Sequence, residues 1–365
     1  MGDLAQADGG RGSDLNRAAV FRILDANLDR AREGIRIVEE WCRFGLNSAD
    51  LTAECKALRQ ELAAWHRPEI RAARNTPEDP GTGITHPQEQ QRADVLEVLQ
   101  ANLCRVQEAL RVLEEYGKVY SAEMGEACKQ MRYRIYTLES CLQAEQRRQV
   151  LRRSPLYLVT MPSDRLFEVV EASLRGGLRL VQYREKDADD GVRFAIARRM
   201  CELCHQYGAL FLVNDRVDVA LAVGADGVHL GQQDMPLEVA RQLLGPAKII
   251  GCSTTNPDEM QRAIDGGADY IGVGPVYETP TKPGKAAAGW DYVRYAAERS
   301  PMPWYAIGGI DHQNLGTALQ AGARRVAVVR ALMAADNPTL VTQYMLGQLF
   351  QASATFPAIA PSVAP

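Results

Sequence analysis

The chain has 365 residues, a formal net charge of -4 at pH 7, and a composition that is 46% hydrophobic and 24% charged. This length allows two domains that bury their cores without disulfides, so the eight cysteines are expected to be reduced thiols. No apolar run could cross a bilayer, residues 1–14 lack a signal-peptide pattern, and the balanced charges do not indicate a nucleic-acid-binding face. The chain is expected to be cytoplasmic, without membrane or nucleic-acid partners. The sequence leaves open whether it forms a homo-oligomer.

The first half of the chain contains an internal repeat of a long amphipathic helix, because residues 26–41 recur as residues 101–116. A second helical pattern follows each copy, beginning near Cys55 and Cys128. Helical hairpins that cannot bury their apolar faces alone are expected to pair, which predicts one bundle over residues 15–150, after a disordered segment 1–14. The two apolar stripes are Leu24, Leu28, Ala31, Ile35, Val38 and Cys42, and Leu99, Leu103, Val106, Leu110, Leu113 and Gly117.

The repeat also keeps charged and polar residues, and two explanations are open. They could be ion pairs left by duplication, with Glu33 and Glu108 each placed for i,i+3 contact with an arginine. They could instead line a pocket for an anionic ligand at a pseudo-twofold axis. The first explanation is the simpler one. The repeated residues are Asn27, Arg30, Glu33, Arg36, Glu39 and Glu40, which recur as Asn102, Arg105, Glu108, Arg111, Glu114 and Glu115.

The second half alternates short apolar runs with amphipathic helical patterns, which predicts a (β/α)8 barrel over residues 154–350 and a disordered tail over 351–365. A doubly wound sheet would show the same alternation, but eight units in about two hundred residues favour closure. The expected strands are residues 156–160, 178–183, 209–213, 227–230, 248–251, 270–273, 304–307 and 325–329. The expected helices include residues 166–175, 192–207, 237–244, 257–265 and 314–321.

Polar clusters follow several of these strands, and a barrel brings such strand ends together on one face, which predicts an enzyme site. Arg184, Lys186 and Lys282 supply positive charge, and Asp215 and Asp234 are carboxylates suited to Mg²⁺, which binds one or two of them together with phosphate oxygens. Each aspartate alone could instead cap a helix. Glycines 308 and 309 and the end of the eighth strand suit a second phosphate, and His229 is expected to be a packed, hydrogen-bonded residue.

These motifs, taken in order, resemble the thiamine-phosphate synthases over residues 155–335. The elements are Gln-x-Arg-Glu-Lys at 182–186, Asn-Asp at 214–215, Gly-Gln-x-Asp-Met-Pro at 231–236, Ser-Thr at 253–254, Thr-Pro-Thr-Lys at 279–282 and Gly-Gly-Ile at 308–310. The helical repeat resembles an amino-terminal extension of some bacterial members. The resemblance implies two small-molecule substrates, 4-amino-2-methyl-5-hydroxymethylpyrimidine diphosphate and a thiazole phosphate or its carboxylated form. Their products would be thiamine phosphate and diphosphate, together with CO2 when the thiazole phosphate is carboxylated.

The resemblance also implies a role for each matching residue. The pyrimidine diphosphate would be bound by Gln182, Tyr183, Arg184, Glu185, Lys186, Asn214, Ser253 and Lys282, of which Arg184, Lys186 and Lys282 act in catalysis. The thiazole phosphate would be bound by Thr279, Pro280, Thr281 and Gly309, and Mg²⁺ by Asp215 and Asp234.

Two departures from the family pattern stand out. Tyr183 replaces a usual aliphatic residue, and Val329-Arg330 replaces a serine, so Arg330 could contact the thiazole phosphate instead.

A thiazole tautomerase and a non-catalytic binding or scaffold protein remain alternatives, although the intact charged set argues against both.

Overall fold

The computed structural model describes the backbone of residues 8–80, 91–278 and 286–355, and the side chains from residue 16 to residue 354 within those ranges. The chain divides into two compact units, Met1–Gln143 and Ala144–Pro365. This division lies within one continuous helix, whereas the sequence places the end of the helical domain at residue 150. None of the helices in the described ranges is long and apolar enough to span a membrane.

The first unit is helical throughout its described residues. Helix α1 begins at Asp8, inside the stretch 1–14 that was expected to be disordered, so this expectation is wrong for residues 8–14. Ser48 and Asp94 cap α2 and α4 by accepting hydrogen bonds from Leu51 N and Glu97 N. The elements are α1 (Asp8–Glu40), a π-helical turn (Trp41–Gly45), α2 (Ala49–Ala64), α3 (Pro68–Ala72), α4 (Val95–Tyr120) and α5 (Ala122–Arg153), which continues into the second unit.

The two repeated helices pack against each other, which confirms the predicted pairing of hairpins. Every residue of both apolar stripes is buried, and together with residues of α2, α3 and α5 they form one apolar core. Helices α1 and α4 approach closely at Gly34. A β-carbon there would lie 2.6 Å from Val106 Cγ2 and 3.2 Å from the carbonyl oxygen of Asn102.

Replacing Gly34 with alanine is expected to destabilise the helical unit by up to about 2 kcal/mol. The better helix propensity of alanine contributes about 1 kcal/mol, but overpacking against a backbone carbonyl that cannot rotate away costs about 1–3 kcal/mol. Urea unfolding followed by circular dichroism measures the difference. Gly191→Ala is the matched control, because Gly191 lies in a helix with nothing within 4 Å of its added carbon; it should stabilise its own unit.

Ion pairs explain part of the charge that the repeat keeps, but through other glutamates than expected. Buried Glu39 accepts hydrogen bonds from Arg36 and from Arg59 of α2. At the corresponding position, buried Glu114 accepts them from Arg111 and from Arg132 of α5. The expectation for Glu33 and Glu108 is therefore wrong. Both are exposed, whereas Glu39 and Glu114 face the second helix of their own hairpin.

In the described residues, one group of three acidic and histidine side chains has the spacing of a metal site, formed by Asp25, Asp29 and His66. Arg74 already supplies positive charge to it, because its guanidinium hydrogen bonds to both Asp25 oxygens, at 2.7 and 3.0 Å, and to Asp29. Burial raises the pKa of Asp25, but the bonds from Arg74 and His66 outweigh it and hold that pKa below its usual value. The group therefore ties the segment after α3 to α1.

The second unit contains a closed barrel of eight parallel strands, which confirms the predicted (β/α)8 fold and excludes a doubly wound sheet. Helix α14 continues to Thr355, so the expected disordered tail is wrong for residues 351–355. The strands are β1 (Leu156–Val159), β2 (Leu180–Tyr183), β3 (Leu210–Asn214), β4 (Gly227–Leu230), β5 (Ile249–Thr254), β6 (Tyr270–Val273), β7 (Trp304–Ile307) and β8 (Val326–Val328). The helices are α6 (Leu166–Arg175), α7 (Asp190–Gln206), α8 (Val217–Val223), α9 (Leu237–Leu244), α10 (Pro257–Asp265), α11 (Gly289–Arg299), α12 (Leu315–Gln320), α13 (Arg330–Met333) and α14 (Pro338–Thr355).

Alternating side chains along each strand form two apolar layers. The outer layer lies between the strands and the helices. The inner layer fills the barrel and includes three buried tyrosines, Tyr157, Tyr270 and Tyr305, whose rings meet edge to face at centroid distances of 5.2 to 5.9 Å. Because buried tyrosine hydroxyls need hydrogen-bond partners, these rings place polar atoms inside the barrel.

The amino-terminal ends of the strands are held by two aspartates, of which Asp226 is buried and Asp269 is partly buried. Asp226 accepts hydrogen bonds from Phe211 N at 3.0 Å and Arg147 Nε at 2.9 Å. Asp269 is bonded in the same way by the backbone of strand β5 and by Arg148. The last turns of α5 thus bind to the face of the barrel opposite the strand ends that carry the predicted site, a face usually associated with stability.

Stability of the barrel is expected to fall between pH 6.5 and about 10, because hydrogen bonds to Asp226 and Cys201 raise the pKa of His205 to about 10 from 6.5. A pKa raised by folding stabilises the native state below pH 6.5, and that contribution disappears as the pH rises through 10. The side chain is 46% exposed, so water weakens the effect. Urea unfolding at several pH values, with His205→Gln as comparison, measures it; parallel curves for the two proteins would contradict it.

Candidate active site

A cavity of about 720 Å³ opens at the carboxyl ends of the barrel strands. Its floor is formed by inward-facing residues of the strands, and its walls by the segments that follow them. Five of the residues that the resemblance assigns to substrate binding line it, and they are Gln182, Arg184, Asn214, Ser253 and Gly309. They come from strands β2, β3 and β5 and from the segments after β2 and β7, so the barrel brings together residues that are far apart in the chain.

The segment after β2 is held in shape by its own polar groups. The backbone N–H of Arg184 donates to Thr160 Oγ1 at 3.0 Å. The Glu185 carboxylate accepts from the backbone N–H groups of Asp187 and Ala188, at 2.8 and 3.2 Å. Arg193 donates to the carbonyl oxygen of Glu185 at 3.3 Å. Glu185 therefore shapes this segment, whereas Arg184 lines the cavity.

Tyr183 is buried in the outer apolar layer, so its ring faces the helices rather than the cavity. It follows Gln182, which points inward, as expected for consecutive residues of a strand. Burial raises the pKa of Tyr183 to about 12, and its hydroxyl has no hydrogen-bond partner among the described residues. The structure therefore separates Tyr183 from the substrate-binding set in which the sequence placed it.

Asp215 and Asp234 lie together beside the cavity, next to Lys186, whose Nζ is 3.2 Å from Asp215 Oδ2. Burial raises the pKa of Asp215, and the negative charge of the neighbouring Asp234 raises it further. The backbone of Asp215 is in the left-handed region, at φ 63°, and Asp234 Oδ2 accepts from Gly231 N at 2.6 Å.

These two carboxylates fit a divalent cation. Two neighbouring carboxylates repel each other, and a cation between them would relieve that repulsion. The capping alternatives are wrong, because α8 and α9 begin without a side-chain cap at Arg216 and Pro236. The strained backbone of Asp215 also matches the tendency of functional residues to be held in sparsely populated conformations.

The second half of the cavity is formed after β7 and β8. Gly308 requires glycine, because its φ is 108° and a β-carbon would lie 2.6 Å from Pro275 Cα. Gly309, at φ 74°, and Arg330, the first residue of α13, line the cavity. Thr279, Pro280, Thr281 and Lys282 lie outside the described residues.

Three residues that the sequence did not assign to the site also line the cavity, namely Tyr157, His229 and Tyr305. His229 is hydrogen-bonded as expected, since Nδ1 is 2.9 Å from the Tyr270 hydroxyl and Nε2 is 2.8 Å from Ser253 Oγ. Tyrosine and histidine at inward-facing positions of buried strands are the signal that could have identified them, because their polar atoms need partners inside the barrel.

Comparison with known proteins gives a consistent result. Residues 156–332 match a family model described as thiamine monophosphate synthase, and residues 22–141 match the ThiD2 family. The chain is 68% identical over 330 residues to the thiamine-phosphate synthase of Nostoc sp. strain PCC 7120, covering 90% of this chain and 94% of that protein. It is 64% identical over 331 residues to that of Synechocystis sp. strain PCC 6803, covering 91% and 96%.

The barrel also resembles the solved structure of a thiamine phosphate pyrophosphorylase from Pyrococcus furiosus. The sequence identity is 36% and the TM-score is 0.51, and the match covers 56% of this chain and 98% of that one. The curated relatives, in contrast, match along nearly the whole chain, including the helical unit. The combined evidence of site, fold and sequence shows that this chain belongs to the thiamine-phosphate synthase family.

Proposed function

We propose that the barrel cavity joins 4-amino-2-methyl-5-hydroxymethylpyrimidine diphosphate to a thiazole phosphate to form thiamine phosphate. Diphosphate is released, and CO2 as well when the thiazole is carboxylated. The observation that carries this proposal is the carboxylate pair Asp215 and Asp234 beside Lys186, next to a cavity that also holds Arg184 and Arg330. This arrangement suits two phosphate-bearing substrates at once.

The chemistry asks the protein mainly to stabilise charge. The bond between the pyrimidine methylene carbon and the diphosphate oxygen breaks, and a bond from that carbon to the thiazole nitrogen forms. Negative charge develops on the departing diphosphate, and Arg184 and Lys186 are proposed to stabilise it by charge-assisted hydrogen bonds. Mg²⁺ bound by Asp215 and Asp234 would neutralise further charge on the diphosphate. Lys282 is assigned to the same role by its sequence motif.

The remaining residues position the substrates. We propose that Gln182, Asn214 and Ser253, which line the cavity, bind the pyrimidine diphosphate. Gly309 is proposed to accept the thiazole phosphate with Thr279, Pro280 and Thr281, and Arg330 extends that site. Tyr183 and Glu185 are not assigned to direct substrate contact. Tyr183 faces the helices, and the Glu185 carboxylate is hydrogen-bonded within its own segment.

We further propose that the synthase activity belongs to residues 154–350, and that residues 15–150 form a separate helical domain with a role of its own. The reaction is proposed to take place in the cytoplasm.

The test is to incubate the full-length protein with Mg²⁺, the pyrimidine diphosphate and the carboxythiazole phosphate, and to follow thiamine phosphate and diphosphate together. Equal release of both products, abolished by a chelator, is expected. A second reaction omits the pyrimidine diphosphate. Conversion of the thiazole in that reaction alone would favour a tautomerase, and no conversion in either by folded protein would favour a binding or scaffold protein.

A further inference from the structure

A continuous row of hydrogen bonds crosses the floor of the cavity. Gln182 Nε2 donates to the Tyr157 hydroxyl at 2.6 Å, and this hydroxyl is 2.8 Å from that of Tyr270. The Tyr270 hydroxyl is 2.9 Å from His229 Nδ1, and His229 Nε2 is 2.8 Å from Ser253 Oγ. Gln182 and Ser253, at the two ends, are thereby connected through three buried side chains.

The direction of donation along this row must be the same at every step. Each tyrosine hydroxyl has one proton, and a neutral imidazole donates from one nitrogen and accepts at the other. If donation runs from Gln182, the proton of His229 is on Nε2 and Ser253 accepts it. If donation runs from Ser253, the proton is on Nδ1, and Gln182 must accept at its far end.

Both directions are available because an amide can exchange its oxygen and nitrogen by a half turn with little change of shape. A mixed arrangement, in contrast, leaves a buried donor without an acceptor. That penalty disfavours the mixed state by roughly 5- to 150-fold in population. Tyr157 and Tyr270 are 2% and 0% exposed, so water does not compensate for it.

The two tyrosine hydroxyls keep their protons, because burial raises the pKa of both Tyr157 and Tyr270 well above the usual value. The row can therefore reverse only by rotation of hydroxyls and of the amide, together with a change of the His229 tautomer. Tyr305 belongs to the same aromatic cluster but not to the row, because its hydroxyl donates to the carbonyl oxygens of Leu151 and Ser154, at 3.0 and 2.8 Å.

We propose that these five side chains form a reversible hydrogen-bond relay that couples Gln182 to Ser253, with Tyr270 and His229 as positioning residues. The contacts of the pyrimidine diphosphate with Gln182 and with Ser253 are then coupled. A contact that sets the direction of donation at Gln182 also sets whether Ser253 donates or accepts. This inference rests on the proposed function, which assigns both Gln182 and Ser253 to that substrate.

The first test needs no substrate and uses nitrogen NMR of the full-length protein labelled with 15N-histidine. His229→Gln identifies the resonances of His229. Gln182→Met removes the acceptor at one end, so His229 is expected to shift towards the tautomer protonated on Nε2. Ser253→Ala removes the acceptor at the other end, so the shift is expected towards the tautomer protonated on Nδ1. Shifts in the same direction, or no shift with Gln182→Met, would overturn the relay.

Tyr270→Phe and Tyr305→Phe form a matched pair for this measurement. Each removes one hydroxyl from a buried ring in the same cluster, but only Tyr270 belongs to the row. In the Tyr270→Phe background, Gln182→Met should no longer affect His229. In the Tyr305→Phe background, it should act as in the unchanged protein. An effect that persists without the Tyr270 hydroxyl would show that the signal travels by packing instead.

The second test measures coupling in the reaction. The effects of Gln182→Met and Ser253→Ala on kcat/KM for the pyrimidine diphosphate should be non-additive by roughly fivefold, the factor that corresponds to about one net hydrogen bond. They should become additive in the Tyr270→Phe background and stay coupled with Tyr305→Phe. Additive effects in the unchanged protein would reject the relay. Absence of any product in the unchanged protein would reject the proposed function, while the NMR result would still decide the relay.

Discussion

Replacing Asp215 with asparagine is expected to lower turnover by a factor on the order of a hundred to a thousand, because a metal ion that neutralises a leaving group supplies several kcal/mol. Burial and the neighbouring Asp234 raise the pKa of Asp215, and Asp215 Oδ2 lies 3.2 Å from Lys186 Nζ. Asparagine keeps the shape of the side chain but lacks the charge. Diphosphate release measured over a magnesium titration should show a lower maximal rate and a higher magnesium requirement.

The fold should survive this change. Asparagine tolerates the left-handed backbone at φ 63° at least as well as aspartate does. Folding raises the pKa of Asp215, so its ionised carboxylate destabilises the native state when no metal is bound. This destabilisation is fully present above the raised pKa of the folded protein. It disappears as the pH falls below the pKa of the unfolded chain. The metal-free variant should therefore be at least as stable as the unchanged protein at neutral pH.

Asp218→Asn is the control. It also removes one carboxylate charge, three residues further along the chain, but Asp218 is paired with Arg216 and lies outside the proposed metal site. It should retain turnover. Near-normal activity of Asp215→Asn at saturating magnesium would contradict the metal assignment, and equal loss in both variants would show a general effect of charge.

The barrel could be predicted from the sequence because its strands are buried on both faces and therefore read as uninterrupted apolar runs. Strands β4, β6 and β7 have the predicted bounds. Errors occur at the ends of elements, as at β5, which extends to Thr254. There, polar residues such as Ser253 and Thr254 continue the strand because hydrogen bonds within the barrel satisfy them.

Within the predicted site, residues 182–186 form one stretch of adjacent residues, and the geometry of a strand explains why that stretch divides. Side chains alternate between the two faces, so Gln182 can enter the barrel only if Tyr183 faces the helices. The relay through Tyr157 and Tyr270 could not be found from motif order, because its members come from β1 and β6, which are distant in the chain and meet only when the barrel closes.

The two ends of the barrel contain different kinds of charge. At the amino-terminal end, Asp226 and Asp269 are bonded by Arg147 and Arg148, so their charges are neutralised within the protein. At the carboxyl-terminal end, Lys186 pairs with Asp215, but Asp234 places a second negative charge beside it. Charge satisfied internally contributes to stability, whereas charge left in mutual repulsion is suited to binding a ligand, which is the difference that separates the structural end from the functional end.

Exchanging the two cavity arginines for glutamine is expected to affect the two substrates separately. Arg184→Gln should raise KM for the pyrimidine diphosphate roughly 10- to 100-fold, and Arg330→Gln should raise KM for the thiazole phosphate by a similar factor, since a hydrogen bond to a charged group contributes about 1.5–3 kcal/mol. The two residues follow β2 and β8, on opposite sides of β1 in the closed barrel.

Each variant serves as the control for the other, because both remove one guanidinium from the same cavity. Initial rates measured with one substrate saturating and the other varied give the two KM values for each protein. If Arg330→Gln raised KM for the pyrimidine diphosphate instead, Arg330 would belong to the diphosphate side, and the loss of the usual serine at Val329 would need another partner for the thiazole phosphate. If KM for each substrate rose equally in both variants, the arginines would act through the overall potential of the cavity, which high salt should then abolish.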